Sequence, residues 1–196
     1  MRIGLCGAQR TGKTTSAERL ASDLGLNLVK TNTTGVFERL GVSPKVAYPI
    51  EKRLSIQEQI LDYLTYEWSE NDDCVFDRTP LDVLAYMEAD VLRDSITDLS
   101  VQAQYLSYRQ RCLEQTYRFN HIILIQPGIK LVEEEGKAQA SLPYMYHFNT
   151  LMLGYLSQFY GVNGLNVHVL HESIVDLDSR ALFLSKMSGK QVQYRL

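Results

Sequence analysis

Short apolar runs alternate along the chain with longer stretches in which apolar residues return every three or four positions. The runs are Arg2 to Cys6 (RIGLC), Leu26 to Lys30 (LNLVK), Cys74 to Asp77 (CVFD), His121 to Gln126 (HIILIQ) and Val167 to Leu170 (VHVL). Continuous apolarity of this kind suits strands buried on both faces, as in a parallel sheet. Between the first two runs, Ala17, Leu20, Ala21 and Leu24 share one helical face, and Gly25 supplies a C-terminal stop. Leu54, Gln57, Ile60, Leu61, Leu64 and Trp68 predict a long helix from Ile50 to Ser69. Pro80 opens another through Leu84, Met87 and Val91, at the first helical position, where a missing N–H costs nothing. Val101 to Arg118, Tyr144 to Tyr160 and a stretch through Leu177, Leu182 and Phe183 are also helical in spacing. A polar loop from Thr31 to Gly35 leads into a short helix through Phe37 and Leu40. Gly41 to Pro49 and Asp94 to Ser100 break the pattern, and frayed ends are expected from Ser188 onward. Strand and helix in alternation predict an α/β fold: a five-stranded parallel sheet between two helical layers, within one domain over residues 1–196.

Composition narrows the partners. The chain has 196 residues, enough for a full core, with 45% hydrophobic and 22% charged residues. A net charge of -3 advertises no broad basic face for nucleic acid. Cys6 and Cys74 lie in apolar runs and read as buried thiols, Cys112 lies on a predicted helix, and no CxxC occurs. Neither a zinc site nor a disulfide framework is implied, so a reducing, cytoplasmic setting is expected. No apolar run approaches the roughly 20 residues that span a bilayer, so no membrane partner is expected. His168 and His171 make H-x-x-H, but residues three apart on a strand face opposite ways, which argues against a shared metal.

The first strand runs into Gly7-Ala8-Gln9-Arg10-Thr11-Gly12-Lys13-Thr14, which is G-x-x-x-x-G-K-[ST] without a mismatch, followed by Thr15. Chance alone would give the pattern in about 1 in 100 chains of this length. Here the flanks are also right, strand before and helix after. Backbone N–H groups of such a loop wrap phosphates, and the helix N-terminus adds to the field. Lys13 is the candidate cation for the β- and γ-phosphates of ATP, and the Thr14 hydroxyl the candidate Mg2+ ligand.

A second signal closes the third run. Asp77 ends a strand on the edge where open α/β sheets bind ligands. It either holds Mg2+ or takes a proton from an attacking hydroxyl. Arg78 follows it and can pair with a phosphate. Thr79-Pro80 makes a competent helix cap without help from Asp77.

The stretches GAQRTGKTT, YPIEKRLSIQEQIL and VFDRTPLDVLAYM resemble the P-loop nucleoside and nucleotide kinases. They look most like phage-type deoxynucleotide kinase-like proteins, a group similar to nicotinamide riboside kinase domains. Asp77-Arg78-Thr79 resembles that family's DR-[ST/Y] motif. The resemblance implies the P-loop NTPase three-layer fold, ATP as donor, and a mobile lid, placed at about residues 128–142. Family lids carry arginines beside an acidic-Gly motif. The corresponding VEEEGKAQAS has Lys137 as its cation, with Arg109, Arg111 and Arg118 of the preceding helix as alternatives. Arg53, Tyr48 and Tyr86 are candidates on the acceptor side.

Among functions, a GTPase switch lacks N/T-K-x-D and D-x-x-G, and a transporter-type ATPase lacks L-S-G-G-Q. The expectation is ATP- and Mg2+-dependent phosphorylation of a nucleoside or (deoxy)nucleoside monophosphate, with Lys13, Asp77 and Arg78 as catalytic residues. A phage-type kinase acting on 5-hydroxymethyl-pyrimidine bases in DNA is the first alternative, with the host cytoplasm as its setting. A regulatory or mechanical P-loop ATPase or GTPase is the second. A homodimer is compatible with the sequence.

Overall fold

All five apolar runs become strands of one sheet: β1 (Arg2–Cys6), β2 (Asn27–Lys30), β3 (Cys74–Asp77), β4 (His121–Ile125) and β5 (Asn166–Leu170). Their order is β2-β3-β1-β4-β5 and every pairing is parallel. The computed structural model describes residues 1–43, 46–91, 96–131 and 141–189. Among these, seven helices are present: α1 (Lys13–Leu24), α2 (Thr33–Arg39), α3 (Ile50–Glu70), α4 (Pro80–Glu88), α5 (Leu99–Thr116), α6 (Leu142–Ser157) and α7 (Leu177–Met187).

Alternate residues of each strand feed two separate cores, as the pleat requires. On one face Ile3, Leu5, Val75, Ile123, Ile125 and Leu170 pack on Ala17, Leu20 and Ala21 of α1 and Leu184 of α7. On the other, Cys6, Phe76, Ile122 and Leu124 meet Leu61 and Trp68 of α3, Leu84 of α4, Cys112 of α5 and Phe148 of α6. Phe119 sits edge-on to both Phe76 (5.4 Å between centroids) and Trp68 (6.0 Å), all three fully buried. Each such side chain contributes about 1.5–3 kcal/mol by leaving water. Gly4 lets this cluster reach β1: a Cβ there would lie 2.5 Å from Thr79 Cγ2 and 2.9 Å from the Phe119 ring. The start of α4 is thereby pressed against the first strand.

Element boundaries moved where side chains cap helices. α2 begins at Thr33, inside the expected polar loop, because Asn32 accepts the Gly35 N–H at 3.0 Å. α5 begins at Leu99, inside the expected break, because Asp98 accepts from the Ser100 and Val101 N–H groups. α6 begins at Leu142, the last position of the expected lid. Residues 132–140, Lys137 among them, lie outside the described residues. All three cysteines are buried and free. Among the described residues no helix is long and apolar enough to cross a membrane.

His168 finds a neighbour that the sequence pattern did not indicate. Its ring stacks on that of His121 across β4 and β5, 6.0 Å between centroids and 14° from parallel. Burial lowers both pKa values below the ordinary 6.5, and His168 lowers His121 further. Between the folded values and 6.5 the unfolded chain therefore binds more protons than the folded one, so stability rises with pH there. Urea unfolding is expected to give a midpoint that is level above pH 6.5 and falls below it. His168→Phe, which keeps an aromatic stack without a titrating group, is expected to flatten that fall.

Candidate functional site

The glycine loop leaves β1 at the C-terminal edge of the sheet and closes onto α1. Gly7 has φ +138, and a Cβ there would meet the Ile125 carbonyl oxygen at 2.5 Å, so only glycine passes this point. Arg10 (φ +63) and Gly12 (φ +79) are left-handed, the pattern from which nests of backbone N–H groups form. Inside the turn the Thr11 hydroxyl donates to the Ala8 carbonyl at 3.0 Å. Ala8 is buried, Gln9 and Arg10 are half-buried, and Thr14 and Thr15 are exposed at the mouth of α1. Lys13 is only 7% exposed, and its ammonium donates to the Gly7 carbonyl at 3.3 Å.

β3 lies beside β1 in register, with Asp77 opposite Leu5, and so delivers Asp77 to the same edge. Asp77 Oδ2 accepts the Thr14 hydroxyl at 2.6 Å. Asp77 Oδ1 lies 4.0 Å from Lys13 Nζ and is buried without a hydrogen-bond partner. Thr31, at the exit of β2, donates its hydroxyl to the Asp77 carbonyl oxygen at 3.1 Å. Lys13, Thr14 and Asp77, distant in sequence, form one constellation.

Arg78 departs from ordinary backbone, with φ +146, a glycine-favoured value that costs a side-chain residue about 1–3 kcal/mol. The strain turns its guanidinium over the ring of Tyr86, 5.6 Å from the centroid. Burial pulls the Arg78 pKa down, but Tyr86, Asp82 and Asp77 more than offset this and leave it above its ordinary value. Tyr86 leans on Phe148 of α6 (4.6 Å). Tyr144 lies nearby, its phenol pushed up by burial and by Tyr86 and Asp90, against the pull of Arg53. Arg53 of α3 is ion-paired to Asp90 at 2.5 Å, with side chains 20% and 34% exposed. Arg53, Arg78, Asp90, Tyr86 and Tyr144 thus converge from α3, the β3 exit, α4 and α6.

Of the remaining candidates, Tyr48, Arg109 and Arg111 have partners of their own. The Tyr48 hydroxyl accepts the Ser43 N–H at 3.0 Å and belongs to the connection before α3. Arg109 is held by Glu88 (3.4 Å), and Arg111 pairs with Asp62. Arg118 follows α5 just before β4 starts, on the sheet edge opposite the glycine loop. None of these three arginines has a contact with the loop among the described residues.

Beside Asp90 and Tyr144, two residues that hold the glycine loop carried no assignment from sequence. Asp82 is fully buried; one oxygen accepts the Gly7 N–H (3.0 Å), the other the Thr79 N–H (2.8 Å) and hydroxyl (2.9 Å). It ties the start of the loop to the cap of α4. Burial raises its pKa, while Lys13, Arg78 and these N–H groups resist the rise. Its signal was the T-x-x-D spacing from Thr79, a capping box. Arg180 of α7 is 1% exposed, and its Nη1 donates to the Thr11 carbonyl at 2.7 Å. Its signal was a cation inside the stripe formed with Ala181 and Leu184.

Known proteins share this fold. The model of the AAA domain family matches residues 2–141. No curated protein sequence matches the chain. Deoxyadenosine kinase from M. mycoides with bound dATP superposes with a TM-score of 0.69 at 17% identity, over 97% of this chain and 100% of that one. NadR in complex with NR superposes with a TM-score of 0.67 at 15% identity, over 100% of this chain but 51% of NadR. YorR from Bacillus subtilis, in complex with phosphorylated GDP, gives 0.53 at 13% identity, over 96% and 98%. At these identities the likeness is one of fold.

Proposed function

The chain belongs to the AAA domain family, and on that footing we propose that it is a single-domain phosphotransferase moving the γ-phosphoryl group of ATP, with Mg2+, to a nucleoside or (deoxy)nucleoside monophosphate. The observation that carries this reading is the meeting of two clusters at one sheet edge. Lys13, Thr14 and Asp77 lie within 4.0 Å of one another along the glycine loop. Arg78, adjacent in the chain, points instead into the aromatic and charged group on α3, α4 and α6. A switch or a motor needs the first cluster only; a kinase needs an acceptor pocket beside it.

The donor set fits a hard divalent cation. The Thr14 hydroxyl and the Asp77 carboxylate put oxygens 2.6 Å apart, and Asp77 Oδ1 is a buried acceptor in want of a partner. Mg2+ held there would neutralise phosphate oxygens and raise the electrophilicity of the γ-phosphorus.

The protein's own residues do the rest. The loop N–H groups and Lys13 hold the phosphates of ATP, with Lys13 exchanging the Gly7 carbonyl for phosphate oxygens. Tyr86, backed by the buried Phe148, and Tyr144 offer aromatic surface to a base, while Arg53 and Asp90 offer a donor and acceptor pair to its edge. Arg78 meets the acceptor phosphate or the transferring group, its strained backbone holding the guanidinium in place before substrate arrives. Little covalent chemistry is asked of the protein in phosphoryl transfer; alignment and charge carry the rate. Similarity to a deoxyadenosine kinase and to NadR with NR supports a nucleoside-type acceptor.

A screen with γ-labelled ATP against nucleosides, nucleoside monophosphates and hydroxymethylated DNA is expected to label a small molecule. Label found only as free phosphate with every acceptor would turn the reading to an ATPase.

A further inference from the structure

We infer that Arg180 is a positioning residue of the glycine loop whose missing counter-charge is supplied by the phosphates of the bound nucleotide. The inference rests on the phosphate-binding reading of residues 7–14. Arg180 is among the largest fully buried side chains of the protein, at 1% exposure. Its Nε donates to the Ile174 carbonyl and its Nη1 to the Thr11 carbonyl, both at 2.7 Å. Its Nη2 is buried without a partner. Burial alone acts on its pKa, lowering it, and no carboxylate pairs with it among the described residues. Elsewhere on the buried face of α7 stand apolar Ala181 and Leu184 and the uncharged Ser185.

An isolated buried cation is costly, and one that persists has a compensating charge in some state of the protein. The direction of its hydrogen bond identifies that state. Arg180 binds the loop from outside, through the Thr11 carbonyl. That carbonyl is conjugated with the Gly12 N–H of the same peptide unit, one of the loop's phosphate-facing donors. A guanidinium drawing electron density at the oxygen makes the N–H a stronger donor. The approach is close: a Cβ at Gly12 would lie 2.9 Å from Arg180 Nη1 and 2.7 Å from Ile129 Cδ1. The Ile174 contact anchors the guanidinium to the connection between β5 and α7. The loop is therefore held at Gly7 by Asp82 and at Thr11 by Arg180.

The test compares R180M, R180K and R180A with wild type, titrating Mg2+ with ATP or ADP by calorimetry and measuring KM for ATP, KM for the acceptor, and kcat. R180M removes the charge at nearly constant volume. It is expected to weaken ATP and ADP by about 10- to 100-fold, with KM for ATP rising in step and KM for the acceptor unchanged. R180K is expected to recover part of the loss. In R180A, low-millimolar guanidinium is expected to restore nucleotide affinity and urea, its neutral analogue, is not. Folded R180M that binds both nucleotides within about twofold of wild type overturns the inference. Should R180M fail to fold, R180A decides: no gain with guanidinium, or an equal gain with urea, overturns it. Wild-type protein that binds neither nucleotide overturns instead the phosphate reading beneath it.

Discussion

Lys13→Ala is expected to lower kcat/KM for ATP by about three orders of magnitude or more while leaving the protein folded. The ammonium stands 3.3 Å from the Gly7 carbonyl and 4.0 Å from Asp77 Oδ1, almost out of solvent. On the proposed reading it is a stored cation, held by its own loop until phosphate oxygens replace the carbonyl. On that reading truncation removes the charge that the phosphates meet, and among the described residues Arg78 is turned onto Tyr86 and Arg180 lies behind the loop, so neither replaces it. The effect also spreads to Asp82. Lys13 is the strongest of the cations that resist the rise of its pKa, so the variant pushes Asp82 further toward its neutral form. A neutral carboxyl is a weaker acceptor for the Gly7 and Thr79 N–H groups. The loss of stability is expected to stay below about 2 kcal/mol, since the removed group sits at the loop and outside both cores. Rates with labelled ATP beside thermal unfolding curves check both halves. A folded variant with turnover within tenfold of wild type would remove Lys13 from the mechanism.

The fold was legible because its signals are local and redundant. Each strand is a short apolar run ended by a polar or glycine residue, and each long helix shows its buried face as spacing. Boundaries were less legible because they depend on single side-chain acceptors. Asn32 makes a helical turn out of Thr33 to Gly35, and Asp98 starts α5 at Leu99. Neither changes the hydrophobic pattern, so periodicity passes over them.

In the site, legibility followed the source of each residue's role. The glycine loop is written in sequence because its geometry is local: strand, left-handed turns, helix. Asp77 could be placed because a residue ending a parallel strand must reach the ligand edge. Arg180 could not, since its partner Thr11 is distant in the chain and only the packing of α7 on α1 joins them. Asp90 and Tyr144 were silent for the same reason: Asp90 lies beyond the end of α4 and meets Arg53 of α3, and Tyr144 reaches Tyr86 from α6. Asp82 was visible in T-x-x-D but masked by its neighbour, because Thr79-Pro80 already explained the start of α4. The second bond of Asp82, to Gly7, is tertiary and is the one that matters to the loop.

Asp77→Asn is expected to lower kcat by about two to four orders of magnitude and to separate the two roles open to this carboxylate. The amide keeps the shape and can still accept the Thr14 hydroxyl, now bonded at 2.6 Å, so the loop is undisturbed. What disappears is the negative charge facing Lys13 and the unpartnered Oδ1. If that charge helps to hold Mg2+, half-saturation by the metal shifts upward by about tenfold or more, together with the fall in kcat. ATP binding without metal goes the other way and tightens, because a carboxylate no longer repels the phosphates. Thr14→Ala is then expected to share the loss, and the double variant to be little worse than Asp77→Asn, the non-additivity of groups acting as one unit. A carboxylate acting as base would leave the metal requirement unchanged and add its loss to that of Thr14→Ala. The Thr14–Asp77 hydrogen bond favours the first pattern, since it engages one oxygen of Asp77 with the glycine loop while Arg78 is turned onto Tyr86, on the proposed acceptor side.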